Sequence, residues 1–203
     1  MLGVAVDADE VFRVMPVLRT RRLVLRGVAE GDGQALFELF SDDAVTAYYA
    51  WDTFTDPRQG RELAAATVEQ YRQRQALRWG LLPVGTDRIV GTCGYTRWAR
   101  EHRYAVLGFD LARRFWGQGL MSEAATAVIG YGFEQLDLNR IEATVLAGNL
   151  PSIALLTRHG FTLEGRLAQR ARHRGTFHDI HMYALLKSAW PTTDSTPSAP
   201  PRT

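Results

Sequence analysis

The chain has a single cysteine, Cys93, so an intramolecular disulfide and an all-cysteine metal site are both excluded. Cys93 lies in the apolar run Ile89-Val90-Gly91-Thr92-Cys93-Gly94-Tyr95, where a free thiol is read as a small hydrophobe in a buried strand. No charge-free apolar stretch approaches the about 18 residues that a membrane-spanning helix needs. The N-terminus carries Asp7, Asp9 and Glu10 and lacks the basic-then-apolar order of a secretion signal, so a cytoplasmic protein is expected. An excess of one charge is missing as well. The 24 Lys and Arg against 22 Asp and Glu leave a formal charge of +2, too little to argue for a nucleic-acid or membrane partner. Two local arginine groups, Arg19-Arg21-Arg22 and the four between Arg166 and Arg174, are read as solvated surface. No metal site is expected.

What is present suits one globular domain. With 203 residues, 46% of them hydrophobic, the chain can bury a substantial core. Residues 1–16 have no strong period and are expected to form a mobile leader. Residues 191–203, rich in Pro, Ser and Thr, are expected to be a disordered tail. The domain then spans residues 17–190 without internal repeats.

Within it, Arg22 to Arg26 alternates as a strand. Asp32 is placed to cap a helix carrying Leu36, Leu39 and Phe40, and Asp56-Pro57 to start another that continues to about Gln75. Strands follow at Leu77 to Pro83, Arg88 to Thr96 and Tyr104 to Leu111. Met121, Ala124, Ala125, Val128 and Ile129 mark a one-faced helix. Arg140 to Leu146 reads as a strand, Ser152 to Arg158 as a short helix closed by Gly160, and Phe161 to Arg172 and Phe177 to Leu186 as a hairpin turning at His173 to Thr176. The order predicts an α/β domain with a mixed sheet and helices in the crossovers.

The segment Leu107 to Ala125 holds the most chemistry. A strand ends near Leu111, and the loop Arg114-Phe115-Trp116-Gly117-Gln118-Gly119 leads directly into the amphipathic helix. The first helical amides have no partner inside the helix and point into such a loop, and the helix dipole adds partial positive charge. Gly117 and Gly119 tolerate positive φ and let the backbone approach a ligand closely. A pyrophosphate suits this loop, although structural turns also use paired glycines. The pattern is neither GxxxxGK[ST] nor GxGxxG, which argues against Walker-type and Rossmann-type sites.

Further motifs share an order and spacing with one family. These are Arg114, Gly117 and Gly119 after a strand, Asn139-Arg140-Ile141-Glu142-Ala143, the pair Asn149 and Ser152, His159-Gly160-Phe161-Thr162-Leu163-Glu164-Gly165, the closing His178 to Tyr183, and the opening Thr20 to Arg26. From Leu18 to Leu186 the chain resembles the GNAT superfamily of N-acetyltransferases, in its RimJ/RimL-like branch.

That resemblance implies a mixed sheet that splays between its fourth and fifth strands and holds acetyl-CoA in the split. The pyrophosphate is then expected on the backbone of Phe115, Trp116, Gly117, Gln118, Gly119, Leu120 and Met121, with Arg114 beside it. The pantetheine is expected along Phe109 to Leu111 as an added strand, with Asn149 in contact. It also implies acetyl transfer to a primary amine of a protein N-terminus or small molecule, and allows a homodimer. The acceptor is expected near Tyr48-Tyr49-Ala50-Trp51, with Trp98 and Glu101 facing it.

A protonated amine cannot attack a thioester, so the chemistry needs a base, an oxyanion donor and an acid for the thiolate. The amide near Leu111 is the candidate donor and Ser152 the candidate acid. Leu156 replaces the tyrosine acid of other branches. Val106 stands where many relatives have a glutamate, and the stretch around Ala171 has no acid either. Glu101, His102, Asp110 and His178 are the fallback bases. A water chain, or an acceptor of low amine pKa, is the alternative to any of them. A degenerate domain that senses acyl-CoA without turnover is the alternative function.

Overall fold

The computed structural model describes residues 8–49 and 51–191. Among the described residues eight strands form one sheet: β1 Leu18–Arg19, β2 Leu23–Gly27, β3 Leu77–Pro83, β4 Gly91–Ala99, β5 Tyr104–Leu111, β6 Arg140–Leu146, β7 Thr162–His173 and β8 Thr176–Leu186. Their order is β1-β2-β3-β4-β5-β6-β8-β7. Neighbours are antiparallel except β5 and β6, which run parallel. That one parallel pair requires a crossover, and helix α4, Leu120–Glu134, supplies it.

Period-two alternation divides the side chains between two faces. Leu77, Trp79 and Leu81 of β3, Cys93 and Tyr95 of β4, and Ala105 and Leu107 of β5 are buried against Ala124, Ala125, Val128 and Ile129 of α4. Helix α5, Leu150–Arg158, places Leu156 in the same cluster. On the opposite face Val24, Leu82 and Ile89 meet Leu36, Leu39 and Phe40 of helix α1, Gly33–Phe40, and Ala64 of helix α3, Pro57–Arg72. Between these helices lies helix α2, Asp43–Thr46, N-capped by Asp42. Cys93 is fully buried, and burial pushes its thiol up to about 12, so it is an inert core group.

The sheet does open. β5 and β6 are paired only at Tyr104↔Arg140, Ala105↔Ile141 and Val106↔Glu142. Beyond that point β5 stays with β4 as far as Gly91↔Leu111, while β6 stays with β8 as far as Leu146↔Ile180. Each strand follows its outer partner, and the sheet twist carries the two ends apart. The first strand, β1, is a short addition to the expected set, which is why the split falls between the fifth and sixth strands.

Several local expectations change. Asp32 does not cap α1: its carboxylate takes Arg26 Nη1 and Nη2 at 2.7 Å and the Ala29 amide at 2.8 Å, closing a 3-10 turn before the helix. Helix α3 ends at Arg72, because Arg74 adopts φ +59° and turns the chain. β4 starts at Gly91 rather than Arg88. The leader boundary moves too. Val11 is buried, Tyr71 Oη donates to Val11 O at 2.8 Å, and Trp79 Nε1 donates to Pro16 O at 2.7 Å. Val11, Phe12, Met15 and Pro16 therefore pack onto the domain, while Arg13 and Val14 stay exposed. The expected tail lies outside the described residues from 192 onward. The hairpin turn forms at Arg174 and Gly175, both at positive φ as a two-residue turn between twisted strands needs.

Candidate active site

A cleft of about 1020 Å³ runs from the split in the sheet to the loops around α1 and α2. One wall is the freed edge of β5. Ala112 N bonds Val90 O across the β4 side, and Asn139 N bonds Arg103 O on the β6 side. Strand backbone groups alternate in direction. The Leu107 carbonyl and the amides and carbonyls of Phe109 and Leu111 therefore face the split beyond the last β5–β6 pair, where no strand meets them. Buried backbone groups need partners, and an extended amide-bearing chain fits this edge. Leu111 O already takes the Trp116 indole N–H at 2.6 Å, which leaves the Leu111 amide.

The glycine loop closes one end of the cleft. Gly117 and Gly119 sit at φ +71° and +73°, the left-handed region that other residues avoid. Gly119 caps α4 with no side-chain hydrogen bond, and Glu123 N is the helical amide that returns to Gly119 O. The amides of Leu120, Met121 and Ser122 are thus the free first-turn donors. Gln118 folds back, its Nε2 donating to Arg114 O at 2.9 Å. Arg114 stacks over Phe115 at 5.0 Å and is not among the residues lining the cleft.

A clamp that the sequence does not announce holds this loop. Arg22 donates from its amide and its Nε to the two oxygens of Glu123, each at 2.7 Å, and from Nη1 to Gln118 O at 2.8 Å. Arg22 is thus a fixed strut rather than solvated surface. Burial pushes the Glu123 carboxyl up, but hydrogen bonds from Thr20 and Arg22 bring it down to about 2. A carboxylate lowered in the folded state stabilises the fold above the unfolded value of 4.5 and loses that contribution as pH falls toward about 2. E123Q is expected to raise KM for acetyl-CoA about 3- to 10-fold with a smaller change in kcat. Its Tm deficit should shrink between pH 6 and pH 2.5. A deficit independent of pH, with an unchanged KM, would remove the clamp.

Asn149 and Ser152 stand on the opposite wall, at the start of α5. Asn149 Oδ1 accepts from Ser152 N at 3.2 Å, as expected of a cap. That bond leaves Asn149 Nδ2 and Ser152 Oγ without protein partners among the described residues, and both residues line the cleft. Arg158, one helix length away, lines it as well.

The other half of the cleft has an aromatic wall. Tyr49 and Trp51 have ring centroids 4.5 Å apart, and Phe40 meets them edge-on at 5.5 and 6.0 Å. Tyr48 reaches across to within 3.6 Å of where a Cβ on Gly148 would stand, just before Asn149. His173 of the β7–β8 hairpin hydrogen-bonds Tyr49 O. Trp98 and Glu101, expected here, lie elsewhere. Trp98 is buried against Phe12, ring to ring at 5.6 Å, and Glu101 is exposed in the β4–β5 turn. The cause is a bulge between Tyr95 and Arg97, which shifts the β4 register and sends Trp98 to the other face.

Of the four fallback bases only Asp110 lines the cleft. It is buried, with Thr92 Oγ1 donating to its Oδ2 at 2.7 Å and Arg78 Nη2 paired to the same oxygen. Burial pushes the Asp110 carboxyl above the usual carboxylate range. Arg78 and Thr92 carried no sequence signal beyond alternation in their strands. Among the described residues no group of three or more His, Cys, Asp or Glu side chains could hold a metal ion, and no helix is long and apolar enough to cross a membrane.

Comparison with known proteins agrees with this geometry. Residues 22–162 match the acetyltransferase (GNAT) domain family. The chain is 39% identical to the N-acetyltransferase p20 of Bacillus licheniformis over 85% of this chain and 97% of that one. It is 28% identical to the [ribosomal protein uS5]-alanine N-acetyltransferase of Escherichia coli over 85% of this chain and 92% of that one. A GNAT-family acetyltransferase structure from Bacillus anthracis superposes with a TM-score of 0.76 at 26% identity, covering 85% of this chain and 99% of that one. The fold is also that of RimL, the ribosomal L7/L12 α-N-protein acetyltransferase, in complex with coenzyme A, with a TM-score of 0.77 at 23% identity over 84% of this chain and 98% of that one.

Proposed function

The chain belongs to the GNAT acetyltransferase family and is an acetyl-CoA-dependent N-acetyltransferase; from that premise we propose that it acetylates the primary amine of a peptide N-terminus or a small molecule by direct attack, with both substrates bound at once. The observation that carries this reading is the cleft itself. Its split half offers a free strand edge and a glycine loop, and its other half is walled by Phe40, Tyr49 and Trp51. Two ligands can therefore meet face to face. The relative that acts on the alanine of ribosomal protein uS5 favours a protein acceptor.

Acetyl-CoA supplies the acetyl group already activated as a thioester. The amides from Gly117 to Ser122 would bind the pyrophosphate, Leu107 to Leu111 would align the pantetheine, and Asn149 Nδ2 would add a donor from the far wall. The Leu111 amide is aimed into the split, where it would stabilise negative charge developing on the carbonyl oxygen. As the C–N bond forms and the C–S bond breaks, Ser152 Oγ would give a proton to the departing sulfur and take one back from the water that receives the amine proton. No carboxylate occupies the positions of Val106 or Ala171. Asp110 is engaged by Arg78 and Thr92, so the amine proton would leave through water, and the acceptor's own basicity would govern the rate.

Thiol release from acetyl-CoA against peptides, polyamines and aminoglycosides tests this. The rate with the best acceptor should rise with pH and track its amine pKa. A rate flat from about pH 6 to 9, with chemistry limiting, would instead place a base on the protein. The missing carboxylates also keep a second reading open, an acyl-CoA sensor. Tight coenzyme A binding with no turnover on any acceptor would select it.

A further inference from the structure

The floor of the acceptor half is polar, and its arrangement follows from strand alternation. Val106, Gly108 and Asp110 of β5 share the sheet face opposite α4. Arg78, Gly94 and Gly108 form one cross-strand row on that face, paired Arg78↔Gly94 and Gly94↔Gly108. Two glycines beside an arginine leave a trough, and the Arg78 side chain lies in it. A Cβ on Gly108 would stand 2.6 Å from Arg78 Nη1, so the guanidinium fills the space of the missing side chain. Arg78 Nε donates to Thr92 Oγ1 at 2.9 Å and Nη2 to Asp110 Oδ2. Nη1 has no protein partner among the described residues. The Arg78 side chain is 16% exposed and Asp110 only 1%, so the arginine is the member of the pair that the cleft can reach.

Asp110 Oδ2 engages Arg78 through Nη2, which leaves the Nη1 hydrogens as the donors that the floor presents. Such a donor seeks an oxygen. Asp110 Oδ2 holds the guanidinium, while its Oδ1 is buried without a hydrogen-bond partner among the described residues.

We propose that Arg78 is a specificity-determining residue that hydrogen-bonds through Nη1 to a carbonyl or carboxylate oxygen on the carbon next to the acceptor amine, with Asp110 as its positioning residue. The acceptor class is thus an α-amino-acyl compound, either a peptide N-terminus or a free amino acid, and not a polyamine. The inference rests on the acceptor reading of the cleft given above.

Titration calorimetry on the coenzyme A-loaded protein tests it with L-alaninamide, L-alanine and isopropylamine, which share the amine and methyl groups. The wild type should bind the better of the two oxygen-bearing compounds about tenfold or more tightly than isopropylamine. Stronger binding of alaninamide would point to a peptide N-terminus, and stronger binding of alanine to a free amino acid. R78M should abolish the preference while leaving coenzyme A affinity unchanged. Comparing ratios between proteins cancels the differing basicity of the amines. Because R78M leaves Asp110 unpaired and could cost folding, R78M/D110N removes both charges and should show the same loss of preference. Equal binding of all three by the wild type, or an unchanged preference in the folded variants, overturns the proposal whether or not acetylation occurs. Failure of thiol release with every acceptor, by contrast, would strike the enzymatic reading and leave this binding result standing.

Discussion

Replacing both loop glycines, as in G117V/G119V, should weaken coenzyme A binding about 100-fold or more while leaving the fold intact. The two residues sit at φ +71° and +73°. A β-branched residue there is strained by roughly 1–2 kcal/mol at each position, so the loop would abandon its conformation. The first-turn amides of α4 would remain, but the approach to them would be blocked by the new side chains. Both glycines are exposed, and a Cβ on Gly117 would touch nothing within 4 Å, so stability has little reason to fall. Calorimetric titration with coenzyme A, alongside a thermal melt, separates the two effects. Undiminished binding would remove the pyrophosphate assignment from this loop. Lost binding together with lost folding would show that the loop is structural first.

The second large effect concerns how α4 is seated. G132A should destabilise the domain by about 1–3 kcal/mol, the usual range for overpacking a filled core. Gly132 faces Tyr95 on β4, and a Cβ there would overlap the tyrosine hydroxyl and crowd Leu138. Tyr95 is fully buried and its Oη donates to Val128 O at 2.7 Å, so the ring has nowhere to move. In a domain of this size each kcal/mol lowers Tm by roughly 2–4 °C. Y95F removes the clashing oxygen, and Y95F/G132A should recover part of the loss, giving a coupling that distant sites do not show. A G132A protein as stable as the wild type would mean that the helix can shift on the sheet at little cost. The loop at its N-terminus would then be less firmly placed than the Arg22–Glu123 clamp suggests.

Much of the site was readable because local patterns report local geometry. Gly117 and Gly119 before an amphipathic run mark a glycine loop at a helix start, since only a left-handed turn needs glycine there. Asn149 before Leu150-Pro151-Ser152 marks a cap because short polar side chains satisfy first-turn amides. Tyr49 and Trp51 line the cleft, and Trp98 does not. A single bulge reverses the side-chain faces beyond it, and nothing in the residues 95–97 marks one. Asp32 misled for a related reason: an aspartate before a helix is a good cap, but here Arg26 and the Ala29 amide compete for it and win.

By itself, then, the sequence determined the alternation that builds each strand, the stripe that seats α4, the glycine loop and the family motifs, all of them set by periods and turns within a few residues. Only the tertiary structure decided how far β5 and β6 stay paired, that Arg22 reaches Glu123 across 101 positions to brace the loop, and that Arg78 lies in a trough made by glycines on two other strands. Those features depend on sheet order and register, which bring together residues whose neighbours in the chain say nothing about one another.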